Sequence, residues 1–213
     1  MKNNYFIAKE GWSYIGLASL LTIIFFAISW YWLAYITLFL TLFMAFFFRD
    51  PKRQFEFKET EIVAPADGKI LAINKVLEDS YLQSEAIQVR IFLSLFNVHI
   101  NRIPAAGTVE YCEKTGMKFY PAYQCKAGDF NVQNKLGINT NYGRVLVVQI
   151  TGFVARRIVC SCTIGDKVRT GDKFGLIKFG SCTELYLPPT VDIHVVPGQT
   201  IRGGETIIGE FNR

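Results

Sequence analysis

General-base chemistry has few candidate side chains in this sequence, because it contains only two histidines, His99 and His194. His99 lies in a segment in which strand alternation places it on one face with Asn97 and Asn101. A neutral imidazole can take the proton of a serine hydroxyl, which is a poor nucleophile until that proton is removed. A strand histidine is often only a structural hydrogen bonder, and this interpretation fits His194 better than His99.

Two further residues complete a set that suits acyl chemistry. Asp67 lies in the sequence PADGK, where Asp-Gly after Pro is an ordinary turn signal. Ser181 belongs to the only Gly-Ser dipeptide of the chain, Gly180-Ser181. A serine, a histidine and an aspartate can act as nucleophile, base and orienting group, but many small domains contain all three by chance. The three residues therefore indicate chemistry only if another signal joins them.

The five cysteines indicate neither a disulfide framework nor a metal site. Their number is odd, no pair has the CxxC spacing and no histidine lies close to them in the sequence. Reduced thiols facing the cytosol are the simplest interpretation. A zinc peptidase would need a histidine-rich ligand set, so no metal is expected. The cysteines are Cys112, Cys125, Cys160, Cys162 and Cys182.

An apolar N-terminal run predicts a membrane anchor over residues 1–48. Half of the 213 residues are hydrophobic and the mean hydropathy is +0.22, which excludes a disordered chain and favours a segment in lipid. Residues 11–48 contain no Lys, Arg, Asp, Glu or His. One helix of this length would span about 57 Å, whereas the hydrocarbon core is about 30 Å thick. We therefore expect two helices, at about 12–28 and 32–48. The run is also too long for a signal peptide.

Basic residues flank the apolar run on both sides, including Lys2 and Lys9 before it and Arg49 after it. The positive-inside rule places both flanks, and with them the soluble domain, on the cytoplasmic side of the cell (inner) membrane. Residues 49–60 are interpreted as a basic linker and residues 61–213 as the catalytic domain. The net charge of +5 is spread over 23 basic and 18 acidic residues, too thinly to indicate a nucleic-acid partner.

The soluble part has the pattern of an all-β fold. Short runs rich in Val, Ile and Phe predict strands: KILAI, QVRIFLSLF, RVLVVQI and ARRIVC. The pattern G-x-x-[VI]-R-x-G-[DE] occurs twice, at 165–172 and 198–205. Glycine at both ends of each step permits the positive φ of tight turns. Such repeats resemble the half-motifs of biotinyl and lipoyl carriers, so we expect a barrel-sandwich-like domain after the helical hairpin.

Five separated motifs resemble the phosphatidylserine decarboxylase proenzymes, specifically their short bacterial and archaeal type. In order they are PADGKI, FLSLFNVHINRIPAAGTVEY, KFYPAY, VVQITGFVARRIV and GDKVRTGDKFGLIKFGS, and together they cover about residues 61–212. The resemblance implies that Ser181 attacks the carbonyl of Gly180 and that β-elimination then splits the chain. Ser181 would become the pyruvoyl end of a small chain, 181–213, bound to a large chain, 1–180.

The resemblance also implies the roles of the other residues. His99 would be the general base of maturation, and Asp67 would orient the imidazole and stabilise its charged form. Gly180 lacks the Cβ that would restrict the bent backbone needed for the attack. The self-generated pyruvoyl group is a covalent cofactor that would bind the amine of phosphatidylserine as a Schiff base at residue 181. The expected enzyme is a membrane-bound carboxy-lyase, formed as a zymogen, that releases carbon dioxide and phosphatidylethanolamine.

Three positions depart from the usual family pattern. Phe96 stands where longer members carry another histidine, the run 134–136 reads Asn-Lys-Leu instead of Asn-Glu-Arg, and Cys182 replaces the usual Arg after Gly-Ser. None of these changes affects the three proposed catalytic residues.

Two other hypotheses stay open. A membrane-anchored, non-enzymatic carrier or adaptor would share the glycine repeat, and a degenerate homologue would share the motifs without processing itself. Both predict an intact chain. The sequence also leaves open whether the lipid is phosphatidylserine or an ether-linked archaeal analogue (archaetidylserine), and whether the heterodimer of cleavage products forms a higher oligomer.

Overall fold

The computed structural model describes residues 6–53, 56–116, 131–152, 157–178 and 181–212. The chain divides into two compact units, one formed by Lys2–Lys52 and the other by Arg53–Arg213. Each unit has its own type of secondary structure, helical in the first and extended in the second.

The N-terminal unit is a pair of apolar helices, α1 (Trp12–Ala27) and α2 (Tyr31–Phe47), which follow a 3-10 turn at Lys9–Gly11. The hydroxyl of Thr22 donates to the carbonyl of Ala18, four residues earlier, so this polar group is satisfied within α1. By length and composition, the helical stretch Lys9–Ala27 is able to cross a membrane, and α2 is a shorter apolar helix. Both helices lie at the expected positions, and their role as an anchor stays a prediction.

The second unit consists of short and medium-length strands. In chain order they are β1 (Glu61–Val63), β2 (Gly68–Glu78), β3 (Ser84–Leu93), β4 (Ile100–Arg102), β5 (Gly107–Thr115), β6 (Gln133–Thr140), β7 (Gly143–Thr151), β8 (Ile158–Cys160), β9 (Lys167–Val168), β10 (Lys173–Ile177), β11 (Ser181–Leu187), β12 (Val191–Ile193), β13 (Thr200–Ile201) and β14 (Ile207–Phe211). The predicted β class of the soluble part is confirmed for the described residues of this unit, whereas the barrel-sandwich assignment stays a prediction.

These strands form one large and two small antiparallel sheets. The large sheet has the order β13-β2-β3-β11-β7-β6-β5-β9, and the small sheets have the orders β1-β14-β12 and β4-β10-β8. Strand β11 therefore pairs on both sides, with β3 over its full length and with β7 from Ser181 to Tyr186. This central place holds the first residue of β11 firmly in the sheet.

Three of the four predicted strands are confirmed in β2, β3 and β7, and the part of the fourth that is described contains β8. The predicted strand QVRIFLSLF ends earlier than expected, at Leu93. The cause is a local turn in which the side-chain oxygen of Asn97 accepts hydrogen bonds from the backbone N–H and the hydroxyl of Ser94. The turn directs the chain away from the sheet before it returns as β4.

The two glycine repeats lie at opposite edges of the large sheet. The first contains β9, which pairs with β5, and the second contains β13, which pairs with β2. The four terminal glycines all have positive φ, as the sequence predicts: Gly165 (96°), Gly171 (81°), Gly198 (89°) and Gly204 (69°). A side chain at these positions would strain the turns that close each edge.

The main hydrophobic core is formed by Val, Ile, Leu and Phe side chains from both the large and the small sheets, for example Ile91, Leu136 and Phe174. Among the described residues, eight polar side chains in this interior have no measurable exposure: His99, Asn101, Asn131, Asn134, Gln149, Thr151, Ser181 and Thr183. A buried polar group is costly unless it is hydrogen-bonded, so such a concentration marks a region with a purpose other than stability.

Candidate active site

Ser181 is the first residue of β11, and it lies between Leu93 of β3 and Thr151 of β7. The side chain is fully buried, and its Oγ has no hydrogen-bond partner within the described part of the chain. A buried hydroxyl without a partner is destabilising, typically by about 1–3 kcal/mol. Gly180, the other residue of the predicted cleavage site, lies outside the described residues.

His99 immediately precedes β4 and is also fully buried. Its Nδ1 lies 3.0 Å from the backbone carbonyl oxygen of Asn97. Because a carbonyl oxygen can only accept, Nδ1 is the protonated nitrogen and donates this hydrogen bond. The neutral ring then has its basic lone pair on Nε2, the tautomer that a general base requires.

Two contacts bring the segment of His99 to the predicted cleavage site. Before the site, the backbone N–H of Ile177 donates to the carbonyl of His99 at 3.2 Å. After the site, the side-chain amide of Asn101 donates to the Thr183 hydroxyl at 3.1 Å. Since Ser181 and Thr183 share one face of β11, the contact of Asn101 with Thr183 places the segment that follows His99 against the face that carries the Ser181 side chain.

A chain of buried amides extends from this region across the sheets. Asn134 Nδ2 donates to Gln149 Oε1 at 3.1 Å, and Gln149 Nε2 donates to Asn101 Oδ1 at 2.8 Å. With Thr183, the network joins β6, β7, β4 and β11. The interaction of each member with the next makes the network rigid and holds β4 against β11. Sequence reasoning missed this network, although polar residues inside apolar strand patterns, such as Gln149 in RVLVVQI, were a readable signal.

Asp67 has partners other than the expected one. Its carboxylate accepts two hydrogen bonds from the Arg53 guanidinium, at 2.5 and 2.8 Å, and one from the backbone N–H of Gly203 at 2.8 Å. These are the only hydrogen bonds of Asp67 among the described residues, and none reaches His99. Asn97 instead provides the orienting carbonyl for the imidazole, so the role of Asp67 in orienting His99 stays a prediction without a direct contact.

Arg53 lies in the predicted basic linker, residues 49–60, and the structure groups it with the β unit. Its side chain is only 7% exposed, and besides Asp67 it pairs with Glu205 at 3.1 Å. A guanidinium can form two parallel hydrogen bonds with a carboxylate, which explains why the Arg53 side chain packs against the β unit although it belongs to the polar segment 49–60. The pair fixes the start of the β unit to the second glycine repeat.

Cys182 faces away from Ser181, because successive strand residues alternate between faces. It packs in a second buried cluster with Leu146 and Ile150 of β7. Burial raises the pKa of the Cys182 thiol to about 12, with the negative charge of Glu184 adding to the effect. The residue that replaces the usual Arg after Gly-Ser is therefore a packed, protonated thiol.

The other sequence candidates lie apart from this region or take no part in it. His194 is on the surface, 3.5 Å from the carboxylate of Asp192. Within the described ranges no group of three or more His, Cys, Asp or Glu side chains is placed to hold a metal ion. The thiols of Cys112, Cys160 and Cys162 are free, and Cys125 lies outside the described residues.

Comparisons with known proteins agree with the resemblance seen in the motifs. The model of a family described as phosphatidylserine decarboxylase matches residues 40–209. A protein from Carboxydothermus hydrogenoformans named phosphatidylserine decarboxylase proenzyme is 45% identical over 212 residues, which cover 99% of each chain. Proteins of the same name from Symbiobacterium thermophilum and Geobacter sulfurreducens are 41% and 42% identical, with 95–96% of each chain covered.

The raised pKa of Cys182 predicts that this thiol is unreactive in the folded protein. At about pH 8 iodoacetamide should leave Cys182 unmodified until denaturant is added, because the reagent needs the thiolate and access to it. Peptide mass spectrometry measures the extent of modification. A Ser84→Cys variant, with a cysteine at an exposed strand end, is the matched control and should react without denaturant. Rapid alkylation of Cys182 in the native protein would contradict its assigned environment.

The Arg53–Asp67 pair predicts a large effect of a neutral substitution at position 53. Arg53→Gln leaves the Asp67 carboxylate buried without its cation, which should lower the free energy of unfolding by about 3–5 kcal/mol. Thermal and denaturant unfolding in detergent measure the change. Arg144→Gln removes an exposed pair with Glu110 and should cost less than about 1 kcal/mol. Equal effects of the two substitutions would show that residue 53 is a linker residue after all.

Proposed function

Because the chain belongs to the phosphatidylserine decarboxylase family, we propose that it cuts itself between Gly180 and Ser181 and then converts phosphatidylserine to phosphatidylethanolamine and carbon dioxide. The observation that carries this proposal is the buried hydroxyl of Ser181, which has no hydrogen-bond partner among the described residues and starts a strand beside the segment of His99. A hydroxyl kept in this costly state is available for a reaction with the adjoining peptide bond.

In the proposed maturation, His99 Nε2 accepts the hydroxyl proton of Ser181 as Oγ forms a bond to the carbonyl carbon of Gly180. The C–N bond of the peptide then breaks, its nitrogen is protonated, and an ester joins the two residues. Loss of the α-proton of residue 181 expels the Gly180 carboxylate by β-elimination. Tautomerisation and hydrolysis of the resulting dehydroalanine release ammonia and leave a pyruvoyl end.

The surroundings of residue 181 fit such an end group. The position is closed to solvent, and the polar side chains of Thr151 and Thr183 lie in neighbouring positions of the same sheet. A pyruvoyl group here would supply the electron sink that decarboxylation of an amino acid headgroup requires. The amide network holds β4 against β11 next to this position.

His99 is held for its proposed role by the backbone of its own turn. The carbonyl of Asn97 accepts from Nδ1–H, which selects the tautomer with a basic Nε2 and stabilises the imidazolium once a proton arrives. The turn itself is closed by Ser94 and Asn97. The imidazole therefore needs no carboxylate in direct contact to be oriented.

Asp67 is proposed as a positioning residue that acts through the backbone. Its pairing with Arg53 and Gly203 fixes the PADG turn, in which Pro65 offers its carbonyl to β4. That carbonyl accepts from the backbone N–H of Arg102 at 2.9 Å and faces the Asn101 amide at 3.4 Å. Asp67 is thus connected to the strand that follows His99 and not to the imidazole itself.

The sheet order explains how the two products would stay together after cleavage. The proposed small chain, 181–213, contributes β11, β12, β13 and β14. Strand β11 lies between β3 and β7 of the large chain, while β13 pairs with β2 and β14 with β1. These backbone hydrogen bonds remain after one peptide bond is cut, so we propose a tightly bound heterodimer. The apolar helices and their basic flanks favour a place at the cytoplasmic face of a membrane.

Activity measurements on point variants test the function. In proteoliposomes containing phosphatidylserine, the natural sequence should form phosphatidylethanolamine, whereas Ser181→Ala should form none and stay uncut. His99→Gln should slow cleavage by about 10²–10⁴-fold, the usual contribution of a general base. Ser84→Ala, at an exposed serine, is the control and should behave like the natural sequence.

The result that would contradict the proposal is phosphatidylethanolamine formation by Ser181→Ala at the rate of the natural sequence. Thermal unfolding of each variant separates loss of chemistry from loss of fold. Folded protein that is neither cut nor active would instead favour the carrier or non-processing homologue.

A further inference from the structure

The turn between β3 and β4 presents two large apolar side chains to solvent. Phe96 is 70% exposed and Leu95 is 39% exposed, at the tip of the turn that Ser94 and Asn97 close. The backbone N–H of Asn97 donates to the carbonyl of Ser94 at 3.0 Å, so the tip is held by hydrogen bonds at its base. We refer to residues 94–98 as the apolar tip.

The apolar tip is directly connected to the candidate active site on both sides. The residue before it, Leu93, is the strand partner of Ser181, and the residue after it is His99. Among the other strongly exposed apolar residues of the β unit, Leu77 of β2 pairs with Glu85, which lies at the opposite end of β3 from Leu93. Scattered apolar side chains are normal on a surface, but an adjacent exposed pair beside a buried site is a feature to explain.

Two basic residues accompany the apolar tip. Lys178 follows Ile177, whose N–H is bonded to the carbonyl of His99, and the backbone N–H of Lys178 donates to the carbonyl of Arg157 at 3.2 Å. Arg157 is exposed and Lys178 is half-buried. The segments that these backbone hydrogen bonds join thus carry both exposed apolar side chains and positive charge, which is the combination that favours the interface of an anionic bilayer.

We propose that the apolar tip inserts Leu95 and Phe96 into the boundary between headgroups and acyl chains, while Arg157 and Lys178 meet lipid phosphates. The inference rests on the proposed function, because the serine headgroup of a phospholipid must reach a fully buried residue 181 without its acyl chains leaving lipid. Only an edge of the β unit that lies against the bilayer meets this requirement, and the apolar tip adjoins residue 181 in the strand register. The tip is thus a lipid-binding element that brings the site to its substrate.

Single-tryptophan fluorescence tests the proposal on the full chain. All three tryptophans, Trp12, Trp30 and Trp32, belong to the N-terminal unit and can be replaced by Phe. Phe96→Trp and, separately, Leu95→Trp then place one tryptophan in the tip. Leu77→Trp is the matched control, because Leu77 is 74% exposed and pairs with Glu85, at the end of β3 opposite to the tip. Each protein is reconstituted in vesicles of phosphatidylcholine and phosphatidylglycerol, with and without phosphatidylcholine brominated on its acyl chains.

The tip variants should show blue-shifted emission and at least about twofold quenching by the brominated lipid, and the control should show neither, since contact quenching requires the indole to be within lipid. Adding Arg157→Gln and Lys178→Gln should weaken quenching in anionic vesicles. Quenching of both tip variants no greater than that of Leu77→Trp would overturn the proposal. Intact mass spectrometry of the same samples reports cleavage, so a failure of self-processing is distinguished from a failure of lipid contact.

Discussion

The proposed chemistry depends on a serine hydroxyl that is buried in the interior of the β unit. This hydroxyl has no hydrogen-bond partner among the described residues. Burial of Ser181 at the start of β11 has a free-energy cost that a stability-optimised core would avoid. The surrounding amide network compensates by satisfying Asn101, Gln149 and Asn134 through each other. The amides of this network are thus hydrogen-bonded, whereas the Ser181 hydroxyl that we propose reacts has no partner among the described residues.

The position of β11 reconciles cleavage with stability. Conversion of residue 181 to a pyruvoyl end removes only the N–H of that residue from β11, and the pairing of Cys182–Leu187 with β3 and of Cys182–Tyr186 with β7 is kept. The glycine repeats close the two edges of the same sheet through β9 and β13. The two edges of the large sheet are therefore closed by strands other than β11. A new chain end at the start of β11 leaves both edges in place.

Much of this architecture could be predicted from the sequence, because local residue patterns encode its helices, strands and turns. The helical pair, three of the predicted strands and the positive φ of the four repeat glycines were all expected from patterns within a few residues. The pairing of Arg53 with Asp67 and Gly203 was not, because it joins residues far apart in the chain and no local pattern encodes it. The role of Asp67 in orienting His99 came from the family resemblance and stays a prediction, and in the structure the nearby carbonyl of Asn97 accepts the hydrogen bond of the ring.

The most direct test of the account is the intact mass of the purified full chain, measured under denaturing conditions after expression in membranes. Self-cleavage between Gly180 and Ser181 predicts two species. One is residues 1–180 with an ordinary carboxyl end, and the other is residues 181–213 with a pyruvoyl group in place of serine. A single species of full length, or a small fragment that begins with unmodified serine, would contradict the proposed role of Ser181.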